Sequence, residues 1–410
     1  MGRWPLASNR DFMLLWSGEA LSQLGSQAST VAFPLLVLTL TGSAAKAGIV
    51  GLAKWLPLAV MALPAGMLAD RLDRKRLMIA CDATRALLLA SIPVALAVGR
   101  PPFAQVAGVA FADGCLFTVT YIAERGALRQ VVTVEQLPAA VAQNEARSFA
   151  ANILGPPLGG VLFAAARALP FLADAVSYAA SMLAVACTRT DFQARPDARA
   201  GDSGRWGGLG DGIAWLWHKP FFRTSALLFA AGNPLYTGLY LLAVLLAKHH
   251  GVSSSGVGLM FAVIGAGGLL GALVSSPLRR SMSAGFALVG EAWLVAAVVP
   301  LLLIAHAAVL IGLIVAAAEF PTPLSNSLVS GHRVAATPDH LQGRVQAAGT
   351  LVTMSLGWLG PLVVGLVYSQ RGPTATVVLM MGWAFALALA TSLAPALRHD
   401  PPRLVGTPGA

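Results

Sequence analysis

Charge is scarce in this sequence. Of 410 residues only 11% are Asp, Glu, Lys or Arg, while 56% are hydrophobic, and the mean hydropathy is +0.71. A soluble chain of this length needs a polar surface around its core, and this composition does not supply one. Cysteine is nearly absent too. Cys81, Cys115 and Cys187 are odd in number, far apart and set in apolar runs, which excludes a disulfide framework or a metal knuckle and makes them small buried apolar residues. The histidines, His249-His250 included, have no partners at metal-ligand spacing, so no metal and no cofactor is expected. No G-x-x-x-x-G-K-[ST] loop occurs, and GRWGGLGDG lacks the following Lys-Ser/Thr, so ATP is not expected to drive the protein directly. A nucleophile elbow and an H-E-x-x-H pair are missing, and no enzyme is expected. The N-terminal MGRWPLASNRDF has no small-residue cleavage site after its apolar run, and Leu6 stands where an acylation motif needs Ser or Thr. The first run is therefore expected to be a retained helix without a lipid anchor.

What the chain does have is a series of long apolar runs. At 1.5 Å per residue a run of roughly 18–25 residues spans a hydrocarbon core of about 30 Å, and in lipid its backbone must be satisfied internally, as a helix. About twelve such runs are present, near 12–38, 47–69, 76–98, 103–123, 139–164, 169–187, 221–247, 255–278, 285–305, 307–330, 344–369 and 373–396. The expected class is an all-α polytopic membrane protein with twelve transmembrane helices in two six-helix lobes, 1–187 and 221–398, followed by a tail, 399–410. The segment 188–220 between them is the longest polar stretch and reads as a linker, whose Trp215, Trp217, His218 and Lys219 suggest a short interfacial helix.

The net charge of +10 does not mark a nucleic-acid protein, because the basic residues alternate between loops and form no basic face. One side receives Arg3, Arg10, the cluster from Arg71 to Arg76, Arg125, Arg129, the linker arginines, Arg279, Arg280, Arg333, Arg398 and Arg403. The other receives only Lys46, Arg100, Arg167, Lys248 and Arg371. The first side is expected to be cytoplasmic, with both termini and the linker on it.

The halves echo each other. Gly66 and Gly271 open related segments 205 residues apart, the second keeping Arg279 and Arg280, and Gly155-Pro156 and Gly360-Pro361 are separated by the same 205. A duplicated chain with pseudo-symmetric lobes points to a transporter whose site lies between the repeats. Gly155-Pro156-Pro157, Gly232-Asn233-Pro234, Phe320-Pro321-Thr322-Pro323 and Gly360-Pro361 are expected to interrupt or bend their runs. Charges inside the runs need an explanation each. Asp113 and Glu319, 206 residues apart, fall near mid-depth, and Glu19 lies about two turns into the first run. Asp82 and Arg85 are spaced i,i+3 and are expected to form a structural pair. Glu145 and Arg147 do not share a face. Asp174 is expected to cap or hydrogen-bond near the outer end of the sixth run, and Lys54 either pairs with a carboxylate or snorkels.

The charged turn GMLADRLDRKR, with Gly66, Asp70, Arg71, Arg74 and Lys75, resembles the loop signature of the major facilitator superfamily. FMLLWSGEALSQLG, LTGSA and LADAVSYAASML resemble a branch of bacterial exporters of macrolides, other drugs and siderophores, and GPPLGG (Gly155, Pro156, Gly159, Gly160) is similar to an antiporter motif of drug exporters. Asp73 replaces the usual loop glycine, Gln27 stands where relatives often carry an acid, and no arginine motif is recognisable in the fourth run, since Arg125 and Arg129 lie too near its end. The resemblance implies a cavity lined by helices 1, 4, 7 and 10, which makes Asp113, Glu319 and Glu19 candidates for proton coupling and Asn233, Tyr236 and Tyr240 candidates for substrate contact. It also implies that Gly66 permits close packing of helix 2 on helix 11, and that Asp70 and Arg74 form a charge latch. The expected protein is a monomeric, proton-coupled exporter of an amphiphilic small molecule in the inner membrane, with protons, substrate and lipid as its partners. An importer or lipid flippase on the same fold, or a non-transporting receptor or scaffold, is the alternative.

Overall fold

The computed structural model describes residues 6–133, 135–193, 207–279, 281–338 and 341–398. These residues form fifteen α-helices and a few short 3-10 turns. The first seven helices are α1 (Arg10–Thr41), α2 (Ala44–Val60), α3 (Ala62–Arg71), α4 (Arg74–Val98), α5 (Phe103–Val131), α6 (Leu137–Ala165) and α7 (Leu169–Ala186). After them come α8 (Gly207–His218), α9 (Pro220–His249), α10 (Ser254–Leu278), α11 (Ala284–Val298), α12 (Ala308–Glu319), α13 (Thr322–Ala336), α14 (Gln342–Met354) and α15 (Leu359–Leu393). The chain divides into two compact units, Met1–Pro196 with Gly251–Ala262, and Asp197–His250 with Val263–Ala410. The start of α10 thus groups with the first unit, which an even six-and-six reading did not anticipate.

Ten helical stretches among the described residues are long and apolar enough to cross a membrane. The difference from the twelve expected runs has local causes. The second run is split at Met61 into α2 and α3, each too short to count alone, with Pro57 and Pro64 on either side removing backbone donors. The eleventh and twelfth runs are joined in α15 across Gly372, whose φ of 78° requires a residue without a Cβ, followed by Pro373. The expected breaks fall unevenly. α6 runs unbroken through Pro156 and Pro157, and α9 through Pro234, whereas the tenth run breaks between Glu319 and Thr322 and the eleventh between Met354 and Leu359.

Cap chemistry sets the helix ends. Gly42 closes α1 in the left-handed region (φ 64°), with its N–H on the Leu38 carbonyl, and Ser43 then caps α2 by accepting from the Lys46 N–H. This accounts for the LTGSA motif. Asp73, which departs from the loop pattern, is the N-cap of α4 and accepts from the Arg76 N–H at 2.8 Å. The linker's Trp-rich end is α8, whose Leu216 is fully buried and whose Trp215 stacks on Phe222 at 5.3 Å.

The burial pattern is that of a membrane protein. Leu87, Val98, Phe286 and Leu393 are each more than two-thirds exposed, while Asp82, Arg85, Asp113 and Asp174 are buried. Apolar side chains out and charges in is the arrangement lipid favours.

The two repeated Gly-Pro sites do the same work in each unit. A Cβ on Gly155 would run into Gln27, and one on Gly159 into the Ala28 carbonyl, so α6 lies directly on the α1 backbone. In the second unit a Cβ on Gly360 would overlap the Pro234 carbonyl and stand 2.7 Å from the Gly238 nitrogen, placing α15 on α9 in the same way. Gln27 bonds to Asn152 on α6, and Asn233 donates to the Thr353 carbonyl on α14. Gly271 is likewise pressed against the Phe320 backbone. Within its own unit a Cβ on Gly66 meets nothing within 4 Å among the described residues.

Gly159→Ala and Gly360→Ala are expected to lower stability by about 1–3 kcal/mol through overpacking, while Gly66→Ala leaves it unchanged or slightly raised. Thermal unfolding of the purified variants in detergent checks the contrast.

Candidate functional site

In the first unit the polar interior centres on Asp113, ten residues into α5 and therefore about 15 Å from its start. One of its oxygens takes the Lys54 ammonium from α2, and the other takes Arg85 Nε from α4 at 2.9 Å. Arg85 also donates to the Tyr178 hydroxyl and lies 3.9 Å over the Tyr178 ring. Tyr178 in turn contacts Asp113 Oδ1 at 3.3 Å and shares a 2.6 Å hydrogen bond with Ser26 on α1. Phe33 stands 5.5 Å from the Lys54 ammonium. One carboxylate thus ties four helices, with α1 joined through the phenol. The Asp82–Arg85 pair expected from spacing does not form. An i,i+3 pair contributes a few tenths of a kcal/mol, whereas charge-assisted bonds to a buried carboxylate contribute about 1.5–3 kcal/mol each, and Arg85 goes to Asp113. Lys54 pairs rather than snorkels.

A second polar layer sits closer to the basic-loop side. Glu124 on α5 accepts from Arg147 on α6 at 2.7 Å. Glu19 on α1 and Asp82 on α4 are buried beside this pair, with Glu19 Oε1 lacking a hydrogen-bond partner among the described residues and the Asp82 carboxylate beside the Ser181 hydroxyl. Glu145 is exposed. Asp174 is fully buried and accepts from Ser29 on α1, so it hydrogen-bonds across helices rather than capping one.

The second unit handles its acids differently. Glu319, the last residue of α12, is part-buried and accepts from the Tyr240 hydroxyl at 2.8 Å. Glu291 on α11 accepts from Tyr236 at 2.7 Å and from Thr322 at 3.1 Å. No cation of the described residues lies within ion-pair distance of either. Asn233, Tyr236 and Tyr240 are therefore all engaged, the first with backbone and the tyrosines with carboxylates. Glu291 and Glu319 stand 206 residues after Arg85 and Asp113 respectively, so one repeat position pair carries an ion pair in one unit and two acids in the other.

The loop residues mainly hold chain. Arg74 Nε donates to the Ala69 carbonyl at 3.1 Å and its Nη1 to the Phe192 carbonyl at 3.5 Å, while Lys75 donates to the Thr188 carbonyl at 2.6 Å. Asp11 accepts from the backbone of Arg189 and Thr190. The start of the linker is thereby fastened to the first unit. Arg71 and Arg279 are exposed. The Asp70 side chain and Arg280 lie outside the described residues, so the expected latch is not described. Gly160 packs against Gly258, and Pro361 is buried near the start of α15.

Among the described residues no group of three His, Cys, Asp or Glu side chains is arranged for a metal ion. His250 packs edge-on against His249 and His306, with ring centroids 5.2 and 4.8 Å apart, and burial and those two neighbours hold its imidazole below the ordinary range.

Spacing alone missed Tyr178, Glu124 and the Asp113 ion pairs. Depth was the available signal for one of them: Glu124 and Arg147 lie seven and ten residues from helix ends on the same side, which puts both at about 10–15 Å. Asp113→Asn leaves the buried Arg85 and the half-buried Lys54 without their anion and is expected to cost about 3–5 kcal/mol of stability. Adding Lys54→Met should recover part of that loss, as measured by unfolding of the single and double variants.

Comparison with known proteins agrees with this architecture. The family model described as transmembrane secretion effector, of the major facilitator type, matches residues 2–400. Multidrug efflux pump Tap of Mycobacterium tuberculosis H37Rv is 28% identical, covering 96% of this chain and 95% of the relative. Its namesake in Mycolicibacterium fortuitum is 29% identical over 92% and 93%. Among solved structures, an inward-facing bacterial homologue of the lysosomal transporter Spinster superposes with a TM-score of 0.71 at 15% identity, covering 97% of this chain and 98% of that one. The nucleoside transporter NupG gives 0.72 at 14% identity, over 94% and 100%. With a family model matched along nearly its whole length and this fold, the chain belongs to the transmembrane secretion effector family of the major facilitator superfamily, a family of multi-pass membrane transporters and not of enzymes.

Proposed function

We propose that the protein is a proton-coupled efflux transporter for amphiphilic, drug-like small molecules. It acts as a monomer in the inner membrane by alternating access, with both termini and the linker on the cytoplasmic side. The named efflux pumps that align with it end to end support export, and the loop charge asymmetry supports the orientation.

The observation that carries the coupling assignment is the contrast between two repeat-related acids. Asp113 is already neutralised by Lys54 and Arg85. Among the described residues Glu319 has one hydroxyl donor, Tyr240, and no cation within ion-pair distance, so a proton or a cationic substrate is what neutralises it. We therefore assign the coupling proton to Glu319, with Glu19 as a second carrier, and give Asp113 the task of holding the first unit together. Proton and substrate then bias one two-state equilibrium in opposite senses. A membrane potential of about 100 mV and one pH unit together supply roughly 3.7 kcal/mol per proton, enough for a gradient of a few hundredfold. Arg74 and Lys75 keep the linker attached while the units move. No nucleic acid takes part.

The test is accumulation of a drug panel in cells stripped of their own pumps, with and without a protonophore. Efflux is expected to be protonophore-sensitive and to be lost in Glu319→Gln at unchanged protein level. Retention of pH-dependent efflux by Glu319→Gln would overturn the assignment, and unaltered accumulation across the panel would overturn drug export itself.

A further inference from the structure

Arg333 is a half-buried cation of the second unit with nothing to donate to. It stands on α13, three residues before Ala336 and so about 5 Å from the helix end on the basic-loop side. Among the described residues its guanidinium has no ion-pair partner and no hydrogen-bond acceptor, and its Nε is buried. The group lies against α14 at Gly349, where a Cβ would stand 2.3 Å from Nη1 and 3.1 Å from Cζ. α13 packs on α9 and α11, and α14 on α8 and α9, so Arg333 reaches from one helix to the other across the ground between them. A guanidinium held largely out of water without an acceptor is costly unless an anion completes it.

The repeat shows what is missing. In the first unit the equivalent helices, α5 and α6, are bridged by Glu124 and Arg147 at 2.7 Å. The positions 206 after Glu124 and 205 after Arg147 are Ser330 and Val352. The second unit has therefore neither charge of that pair, and carries instead an arginine three residues beyond the serine. Asn326, Ser330 and Arg333, spaced four and three, share one face of α13. Asn326 is exposed although it lies ten residues, about 15 Å, from the helix end. An amide exposed at that depth of a membrane-spanning stretch faces water and not hydrocarbon. The face thus offers an amide and a hydroxyl inward of a fork of guanidinium N–H groups.

We infer that Arg333, Ser330 and Asn326 bind an oxyanion, the carboxylate or phosphate of a small polar molecule entering from the basic-loop side. The planar guanidinium takes two of its oxygens side by side, in the place that the Glu124 carboxylate fills in the first unit, and Ser330 and Asn326 meet the polar body behind it. A lipid phosphate has the same chemistry, but its acyl chains find no hydrocarbon along this face, so the soluble anion fits. As a binding site this stands apart from the efflux reading; as the first docking point of an exported organic anion it rests on it.

The test is protection of Arg333 from phenylglyoxal in the full chain, purified in maltoside detergent without any gradient, with each arginine followed by peptide mass spectrometry. The probes are phenyl phosphate and benzoate, and benzyl alcohol is the uncharged control. At ten times its Kd the anion is expected to slow modification of Arg333 about tenfold, with the exposed Arg371 unaffected and benzyl alcohol without effect. Gly349→Ala displaces the guanidinium, a flexible tip, from its seat and should lose most of the protection. Ser330→Glu supplies the acid from the same helix face and should abolish it. A second measurement does not depend on reactivity: the anion should raise the unfolding temperature of the wild type by about 2 °C and leave that of Arg333→Met unchanged. Glu319→Gln should behave as wild type in both, which separates this site from the coupling assignment. An equal temperature shift in Arg333→Met, equal protection by benzyl alcohol, or protection given only by added phosphatidylglycerol and by neither soluble anion would overturn the inference.

Discussion

The first unit depends on one carboxylate. Asp113 takes a lysine from α2 and an arginine from α4, and through Arg85 it engages the phenol of α7 and the serine of α1. Asp113, Arg85 and Tyr178 are buried and Lys54 and Ser26 half-buried, so the geometry is held by what each would lose on leaving. A buried arginine and a half-buried lysine exceed the charge of one anion, and the remaining acids of the interior, Glu19, Asp82 and Asp174, stand close enough to contribute. The unit is a shared electrostatic system rather than a set of separate pairs.

The second unit meets the same constraint with hydroxyls. Its two interior acids accept from Tyr236, Thr322 and Tyr240, and no buried cation of the described residues joins them. A hydroxyl satisfies a carboxyl group in either protonation state, because it can donate or accept. An ion pair satisfies only the charged one. The two interiors are thus alike in architecture and unlike in chemistry, with ion pairs in one and hydroxyl-bonded acids in the other.

Backbone contact is where the duplication has been kept most faithfully. Gly155 and Gly159 against α1, and Gly360 against α9, bring helix pairs to the distance at which a single added carbon overlaps a carbonyl. Without a hydrophobic drive between helices in lipid, such close packing supplies much of the association. The Gly-Pro repeats thus have a structural reading that stands beside any role in antiport.

Much of the fold was legible in the residues themselves. Run length against bilayer thickness, the alternation of basic loops, the repeat offset and the helix-breaking residues set the class and the expected number of crossings, because these depend only on local chemistry and on the solvent. The candidate acids were legible as well, since charge in an apolar run is conspicuous. Which acid is paired was not. Spacing put Arg85 with Asp82, and tertiary packing put it with Asp113, because a buried acceptor with further partners outweighs a neighbour on the same helix. The same is true of Tyr178, which only folding brings to Arg85, Asp113 and Ser26. Local sequence determines what a side chain can do, and the neighbours that folding delivers decide what it does.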